Sequence, residues 1–170
     1  MNSPAPDRPN VVVFPPLILV AVLVLAILLQ WLVPLGILAR FDPVWRLAIG
    51  GVLMIAGLAI TATGSLVLVR RGTNVNPRRP AVALATNGIY RWTRNPMYVG
   101  GGPLLIGLSI AAALDWLPLL MIPAAFALHV GVVRYEERYL EAKFGDAYRD
   151  YAARVPRYLG VGPRGCDRRA

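Results

Sequence analysis

The chain has 170 residues, of which 56% are hydrophobic and only 16% are charged. Soluble globular domains carry roughly 25% charged residues, so the composition argues against an ordinary soluble fold. The length suits one domain and leaves no room for a separate soluble catalytic module. A formal net charge of +9 would suit a nucleic-acid-binding protein, but the positions of the charges indicate a different role.

Four stretches of the sequence contain no Asp, Glu, Lys or Arg: residues 11–39, 47–69, 96–114 and 116–133. About 20 apolar residues cross a hydrocarbon core as a helix, so each stretch is long enough, the last two only just. Asp115, between the third and fourth stretches, predicts the tip of a tight helical hairpin. We therefore predict an all-α, polytopic membrane protein with about four transmembrane helices, near residues 13–38, 47–69, 97–114 and 116–134.

The basic residues predict the orientation of these spans. Sixteen of the 18 Lys and Arg residues precede the first span, lie between the second and third, or follow the fourth. The remaining two, Arg40 and Arg46, lie between the first and second spans. By the positive-inside rule both termini and the middle loop are cytoplasmic, in a plasma or inner membrane. The charge is thus a topology signal, and we expect no nucleic-acid partner.

The sequence as a whole divides into two tails and one membrane domain. Residues 1–10 and 161–170 are expected to be flexible tails, and residues 11–160 a single membrane domain. The one cysteine, Cys166, excludes an internal disulfide, and no metal-binding cluster is present in the sequence, so we expect no metal. The sequence does not indicate an oligomeric state.

The segment before the third span has the sequence Arg94-Asn-Pro-Met-Tyr-Val-Gly100. Proline suits the first position of a helix and Asn95 is a natural N-cap, so the third helix is predicted to begin here. This places Arg94, Asn95 and Tyr98 at the cytoplasmic mouth of the span. The glycines at 100–102 allow a ligand or another backbone to approach closely. An interfacial anchor of Tyr, Trp and Arg side chains is the structural alternative.

The segment after the fourth span is amphipathic. The helix is predicted to continue into the cytoplasm until Gly145, and Asp146 is predicted to cap a short helix with Tyr148, Tyr151 and Val155 on one face. Glu136 and Glu137 are adjacent and point about 100° apart on a helix, so at most one faces a pocket squarely. Salt bridges to nearby arginines are the structural alternative for the pair.

These motifs together resemble the isoprenylcysteine carboxyl methyltransferase and phospholipid methyltransferase superfamily. The resemblance is carried, across one helical hairpin, by residues 94–100, by Glu136-Glu-Arg-Tyr-Leu140, by Phe144-Gly-Asp-Ala-Tyr148 and by residues 151–157. It covers roughly the C-terminal half of the chain. Asn95 stands where that family usually has His, and Asn cannot become cationic.

The resemblance implies an integral membrane methyltransferase that uses S-adenosylmethionine, bound between the mouth of the third span and the C-terminal segment. A carboxylate such as Glu136 or Glu137 suits the ammonium group or ribose of this cofactor, and Arg91 or Arg94 suits its carboxylate. Tyrosines suit the adenine or the sulfonium. The candidate catalytic residues are Arg94, Asn95 and Glu136. The candidate cofactor-binding residues are Tyr90, Arg91, Asn95, Tyr98, Gly100, Gly101, Glu136, Glu137, Tyr148 and Tyr151.

The acceptor implied is one that partitions into the bilayer: an isoprenylcysteine carboxylate, a phospholipid amine, or another lipid or small molecule. An amine acceptor must lose a proton, and His129 is the one base within the spans, where a packing role is favoured. Two other classes stay open. They are a nicotinamide-dependent membrane reductase and a non-catalytic membrane protein of the same fold.

Overall fold

The computed structural model describes residues 14–76 and 79–160, and every regular element in these ranges is helical. The predicted tails, Cys166 and Arg78 lie outside the described residues. The α-helices in chain order are α1 (Pro15–Leu32), α2 (Pro43–Arg70), α3 (Pro96–Ala112), α4 (Trp116–Leu128), α5 (Arg134–Phe144) and α6 (Asp146–Arg154). Short 3₁₀ turns cover Leu38–Arg40 and Gly88–Arg91, and a π-helical turn covers His129–Val133.

The helix ends follow from the proline and glycine positions. Proline occupies the first turn of α1, α2 and α3, where its missing N–H removes no intrahelical hydrogen bond. The α2 helix begins at Pro43, four residues before its predicted start, because the Asp42 carboxylate accepts a hydrogen bond from Val44 N (2.8 Å). The α1 helix ends at Leu32 rather than at residue 38, since Pro34 interrupts the helical hydrogen bonds and Gly36 adopts φ +67°.

Three helices are long and apolar enough to cross a membrane: Pro15–Leu32, Pro43–Arg70 and Trp116–Phe144. The third of these is one continuous helix in which the π-helical turn joins α4 to α5, so the last predicted span extends ten residues beyond its predicted end at 134. It stops at Gly145 (φ +54°), as predicted. The α3 helix is apolar but has only 17 residues. The protein is an integral membrane protein with an all-α fold.

Helices α2 and α3 pack against each other along most of their length, and α1 packs against α4. Glycine permits the close approach of α2 and α3, because a Cβ on Gly57 would lie 2.5 Å from the Gly100 carbonyl oxygen. Gly50 and Gly64 are also buried on this face of α2. These glycine contacts therefore repeat every seven residues along α2.

Asp115 forms the predicted hairpin tip between α3 and α4, and it also fastens the α1–α2 connection. Its carboxylate accepts hydrogen bonds from Leu38 N (2.8 Å), Ile37 N (3.2 Å) and the Gln30 amide (3.3 Å). The Gln30 side-chain oxygen accepts in turn from Asp115 N at 2.9 Å. One buried carboxylate thus joins both connections at this end of the bundle.

Candidate active site

A cavity of about 850 Å³, its open mouth included, lies at the opposite end of the bundle from Asp115. This end of the bundle carries the α2–α3 loop, α5 and α6. The cavity is lined by most of the predicted site residues: Tyr90, Arg94, Asn95, Tyr98, Glu136, Glu137, Tyr148 and Tyr151.

Three predicted cofactor-binding residues lie outside this cavity. Arg91 ends a 3₁₀ turn with an exposed side chain. Gly100 is buried against α2, where a Cβ would lie 2.5 Å from Thr61 Oγ1, so its lack of a side chain serves helix packing. Gly101 faces away from the cavity, towards the apolar groove between α1, α3 and α4 described below.

Glu137 is held by two arginines from different parts of the chain. Its carboxylate accepts two hydrogen bonds from Arg157, at Nε (2.8 Å) and Nη2 (2.6 Å), and it forms an ion pair with Arg94 Nη1 at 2.9 Å. The side chains of Arg94 and Glu137 are only 12% and 15% exposed. A pair this buried is costly to break, because the remaining partner keeps an unpaired charge. Glu137 therefore fixes α5 to the start of α3 and to the segment after α6.

Arg94 also donates a hydrogen bond to the Tyr148 hydroxyl (3.1 Å). Burial, with a smaller contribution from the nearby Glu137 carboxylate, raises the pKa of Tyr148 to about 12, although Arg94 acts in the opposite direction. The phenol is therefore neutral at physiological pH. Tyr148 contributes an aromatic wall and a neutral hydroxyl to the cavity.

Glu136 lines the cavity and has different neighbours from Glu137. Its carboxylate accepts a hydrogen bond from the Tyr98 hydroxyl. Across residues 14–76 and 79–160, no basic side chain lies within ion-pair distance of it. It shares its face of the helix with the buried Val133 and with Leu140, which also lines the cavity. Glu136 is thus a lining carboxylate available to a cationic ligand group.

Residues 155–158, which we call the strap, hold the start of α3 in place. Arg94 N donates to the Pro156 carbonyl (3.0 Å), while Thr93 Oγ1 and Asn95 Nδ2 donate to the Arg157 carbonyl (3.2 and 3.0 Å). Asn95 is the N-cap residue of α3, as predicted, but its side chain makes no capping hydrogen bond. The amide is committed to the strap instead.

The tyrosines of α6 form the predicted apolar face. Tyr148, Tyr151 and Val155 make a buried cluster, and the Tyr151 hydroxyl donates to the Tyr90 carbonyl at 2.8 Å. Burial raises the pKa of Tyr151 and of Tyr90 above the ordinary value, so both stay neutral. Asp146 is the first residue of α6 and binds Arg149 (2.6 Å) without capping the helix. The cluster holds α6 against the 3₁₀ turn at one side of the cavity.

The α2–α3 loop supplies a wall that was not predicted from the sequence. Its residues 73–76 and 79–85 close on themselves, because Thr73 Oγ1 both accepts from Ala83 N (2.9 Å) and donates to the Ala83 carbonyl (3.1 Å). Tyr139 of α5 accepts a hydrogen bond from Ala81 N at 3.1 Å, which ties the loop to α5. The basic and polar lining residues of the loop are Thr73, Asn74, Asn76 and Arg79. Arg157 was also not predicted as a site residue, although the sequence shows it directly after Val155 and Pro156.

An apolar groove of about 940 Å³ lies between α1, α3 and α4. Its lining includes Leu19, Val22, Leu105 and Leu128. Met97 and Tyr98 line both the groove and the cavity, so the two spaces meet at the first turn of α3. At this turn the Tyr98 hydroxyl donates a hydrogen bond to the Glu136 carboxylate, which lines the cavity.

His129 packs against the strap, in agreement with the packing role favoured from sequence. Its Nδ1 lies 3.0 Å from the Tyr158 hydroxyl, and it begins the π-helical turn between α4 and α5. It lines neither the cavity nor the groove. This position gives no support for His129 as a base acting on a bound acceptor.

Comparison with known proteins identifies the family. A phospholipid methyltransferase family model matches residues 45–147, which is more than half of the chain. The chain belongs to the phospholipid methyltransferase family. The family region contains the start of α3 and both glutamates, and it stops just short of Tyr148. No curated protein matches the sequence.

Among solved structures, the chain is similar to the eukaryotic intramembrane Ras methyltransferase, isoprenylcysteine carboxyl methyltransferase. The TM-score is 0.63 at 24% identity, over 88% of this chain. The chain spans about half (52%) of that protein's length. This likeness shows a shared fold.

Proposed function

We propose that the protein transfers a methyl group from S-adenosylmethionine to an acceptor that partitions into the bilayer. The observation that carries the proposal is that a cavity with charged and polar side chains meets an apolar groove at Met97 and Tyr98. A water-soluble cofactor and a lipophilic acceptor need two such chambers, and methyl transfer needs one place where they touch.

The residues of the cavity fit this cofactor. Glu136 offers a carboxylate with no cationic partner among the described residues, which suits the ammonium group or ribose hydroxyls. Tyr90, Tyr148 and Tyr151 offer aromatic surface to adenine. Arg94 Nε is buried and has no hydrogen-bond partner within residues 14–76 and 79–160, so it has a donor to give to a ligand. When bound, the cofactor would supply the electrophilic methyl group.

The roles of this chain's residues in the reaction follow from their contacts. Glu137, Arg94 and Asn95 are positioning residues, because their side chains join α5, α3 and the strap. Tyr98 lines both chambers and donates its hydroxyl to Glu136. Methyl transfer is an in-line displacement, so holding donor and acceptor in line and excluding water account for most of the catalysis. The groove holds the apolar part of the acceptor.

The test is transfer of a labelled methyl group from S-adenosylmethionine into a total lipid and small-molecule extract by the purified protein. We expect label in a lipid fraction, and turnover that follows the mole fraction of acceptor in the detergent or lipid phase. A variant with Leu105→Trp should block the groove and abolish transfer while cofactor affinity stays within twofold. Transfer only to a freely soluble acceptor, unaffected by this substitution, would contradict the groove assignment.

The same preparation separates the other classes. A reductase would bind reduced nicotinamide adenine dinucleotide phosphate. A non-catalytic protein would bind neither this dinucleotide nor S-adenosylmethionine. Binding of S-adenosylmethionine without binding of the nicotinamide dinucleotide is the result we expect. The absence of S-adenosylmethionine binding by well-folded protein would refute the proposal.

A further inference from the structure

The arginines of the cavity differ in what they already contact. Arg94 is paired with Glu137 (2.9 Å) and bound to Tyr148 (3.1 Å). Arg157 gives both Nε and Nη2 to Glu137. Arg91 lies outside the cavity with an exposed side chain. The charges of Arg94 and Arg157 are thus already paired with Glu137, and Arg94 keeps a buried Nε that has no partner among the described residues.

Arg79 differs from Arg94 and Arg157 because its charge is unpaired, and from Arg91 because it lines the cavity. It lines the cavity, and within residues 14–76 and 79–160 its side chain makes no ion pair and no hydrogen bond. Its backbone is held, because Arg79 N donates to the Asn76 carbonyl at 3.0 Å. The exposed guanidinium is therefore carried on an anchored loop and has no protein partner among the described residues.

The lining residues without a charged partner include one of each sign. Glu137 is paired with both Arg94 and Arg157, whereas the Glu136 carboxylate and the Arg79 guanidinium have no charged partner among the described residues. They stand on separate walls, since Glu136 is on α5 and Arg79 on the α2–α3 loop, and the Tyr139–Ala81 hydrogen bond (3.1 Å) holds these walls together. A zwitterionic amino-acid group, with its ammonium and carboxylate on one carbon, complements this arrangement.

We propose that Arg79 binds the α-carboxylate of S-adenosylmethionine, opposite Glu136 on the ammonium group. This rests on the proposed function and goes beyond it, because it assigns a cofactor contact to the α2–α3 loop. The α2–α3 loop then contacts the amino-acid end of the cofactor. A ligand that lacks the carboxylate gains nothing from Arg79.

The experiment compares two ligands on the full-length protein in detergent: S-adenosylmethionine and its decarboxylated analogue, which keeps the amine, the sulfonium and the nucleoside. Dissociation constants are measured for the wild type, Arg79→Gln, Arg79→Lys and, as a matched loss of one exposed positive charge, Arg91→Gln. Thermal unfolding of each variant checks folding.

We expect Arg79→Gln to weaken S-adenosylmethionine binding about five- to tenfold, as for a partly exposed charge-assisted contact, and to leave binding of the decarboxylated analogue unchanged. Arg79→Lys should recover part of the affinity, and Arg91→Gln should match the wild type. Equal weakening of both ligands by Arg79→Gln, or no weakening of either, would overturn the assignment while the proposed function stands. A wild type that binds neither ligand would refute the proposed function as well.

Discussion

The side chains of Glu136 and Glu137 leave α5 in different directions and meet different neighbours. Glu137 joins two arginines, whereas Glu136 meets only the Tyr98 hydroxyl among the groups described. The divergence of about 100° between adjacent helical residues made unequal roles predictable. Which glutamate meets which partner was not predictable, because Arg157 comes from a strap 20 residues further along the chain.

Substitution of Glu137 should mainly affect stability, and substitution of Glu136 should mainly affect cofactor binding. Glu137→Gln leaves Arg94 buried without its carboxylate, so we expect the free energy of unfolding to fall by about 1–3 kcal/mol. Glu136→Gln should change stability little but weaken S-adenosylmethionine binding about tenfold or more. Thermal unfolding and ligand titration of both variants test this, with Glu141→Gln as the control because its ion pair is exposed. Stable variants that both bind within twofold of the wild type would contradict it.

Asn95 stands where the family resemblance places a histidine, and its contact with the strap is one that either side chain can make. The amide donates to the Arg157 carbonyl (3.0 Å), a bond that a neutral imidazole N–H can also make. Asn95→His should therefore keep most of the cofactor affinity, and Asn95→Leu should lose it together with protection of the strap from protease. A leucine variant that binds and resists protease like the wild type would show that the strap does not depend on this side chain.

At the scale of elements, the membrane helices and most of the cavity lining were predictable, and the wall formed by the α2–α3 loop was not. Apolar length and the proline positions indicated the helices, because a membrane leaves few other choices for the backbone. The end of α1 was missed since Gln30 and Trp31 are uncharged and the run of apolar residues continues to Ala39. The α2–α3 loop was missed because its contacts, such as Ala81 with Tyr139, join residues 58 positions apart.

The glycine contact between α2 and α3 gives a matched pair of substitutions. Gly57→Ala places a methyl group 2.5 Å from the Gly100 carbonyl oxygen and should force the helices apart, lowering the unfolding temperature and weakening cofactor binding. Gly51→Ala meets nothing within 4 Å in the same helix and should be neutral or slightly stabilising. Equal unfolding temperatures for the two variants would mean that α2 and α3 are not closely packed in the bilayer.

At the scale of the whole molecule, one end of the bundle is tied by Asp115 and the other holds the cavity. The basic residues that predict a cytoplasmic location lie at the cavity end, in the α2–α3 loop and beyond α4. A cytoplasmic cavity would have direct access to the cofactor, while the groove opens among membrane helices. Orientation is therefore the property on which access to both chambers depends.

Reporter fusions test this orientation. By the positive-inside rule, fusions after Gly72 and at the C-terminus should report the cytoplasm, and one at Asp115 should report the opposite side. An alkaline phosphatase and a fluorescent reporter at each position give opposite signals, so each position has its own control. A C-terminal fusion that reports the outside would overturn the four-span arrangement.

The strap also constrains the biosynthesis of this protein. Residues 155–158 are synthesised after every membrane helix, yet they hold Arg94, Asn95 and Glu137 in place. A nascent chain can thus have all its apolar segments in the bilayer while the cavity still lacks a wall. We therefore expect a chain truncated after α5 to insert its apolar helices into the membrane but to lack the wall that α6 and the strap give to the cavity.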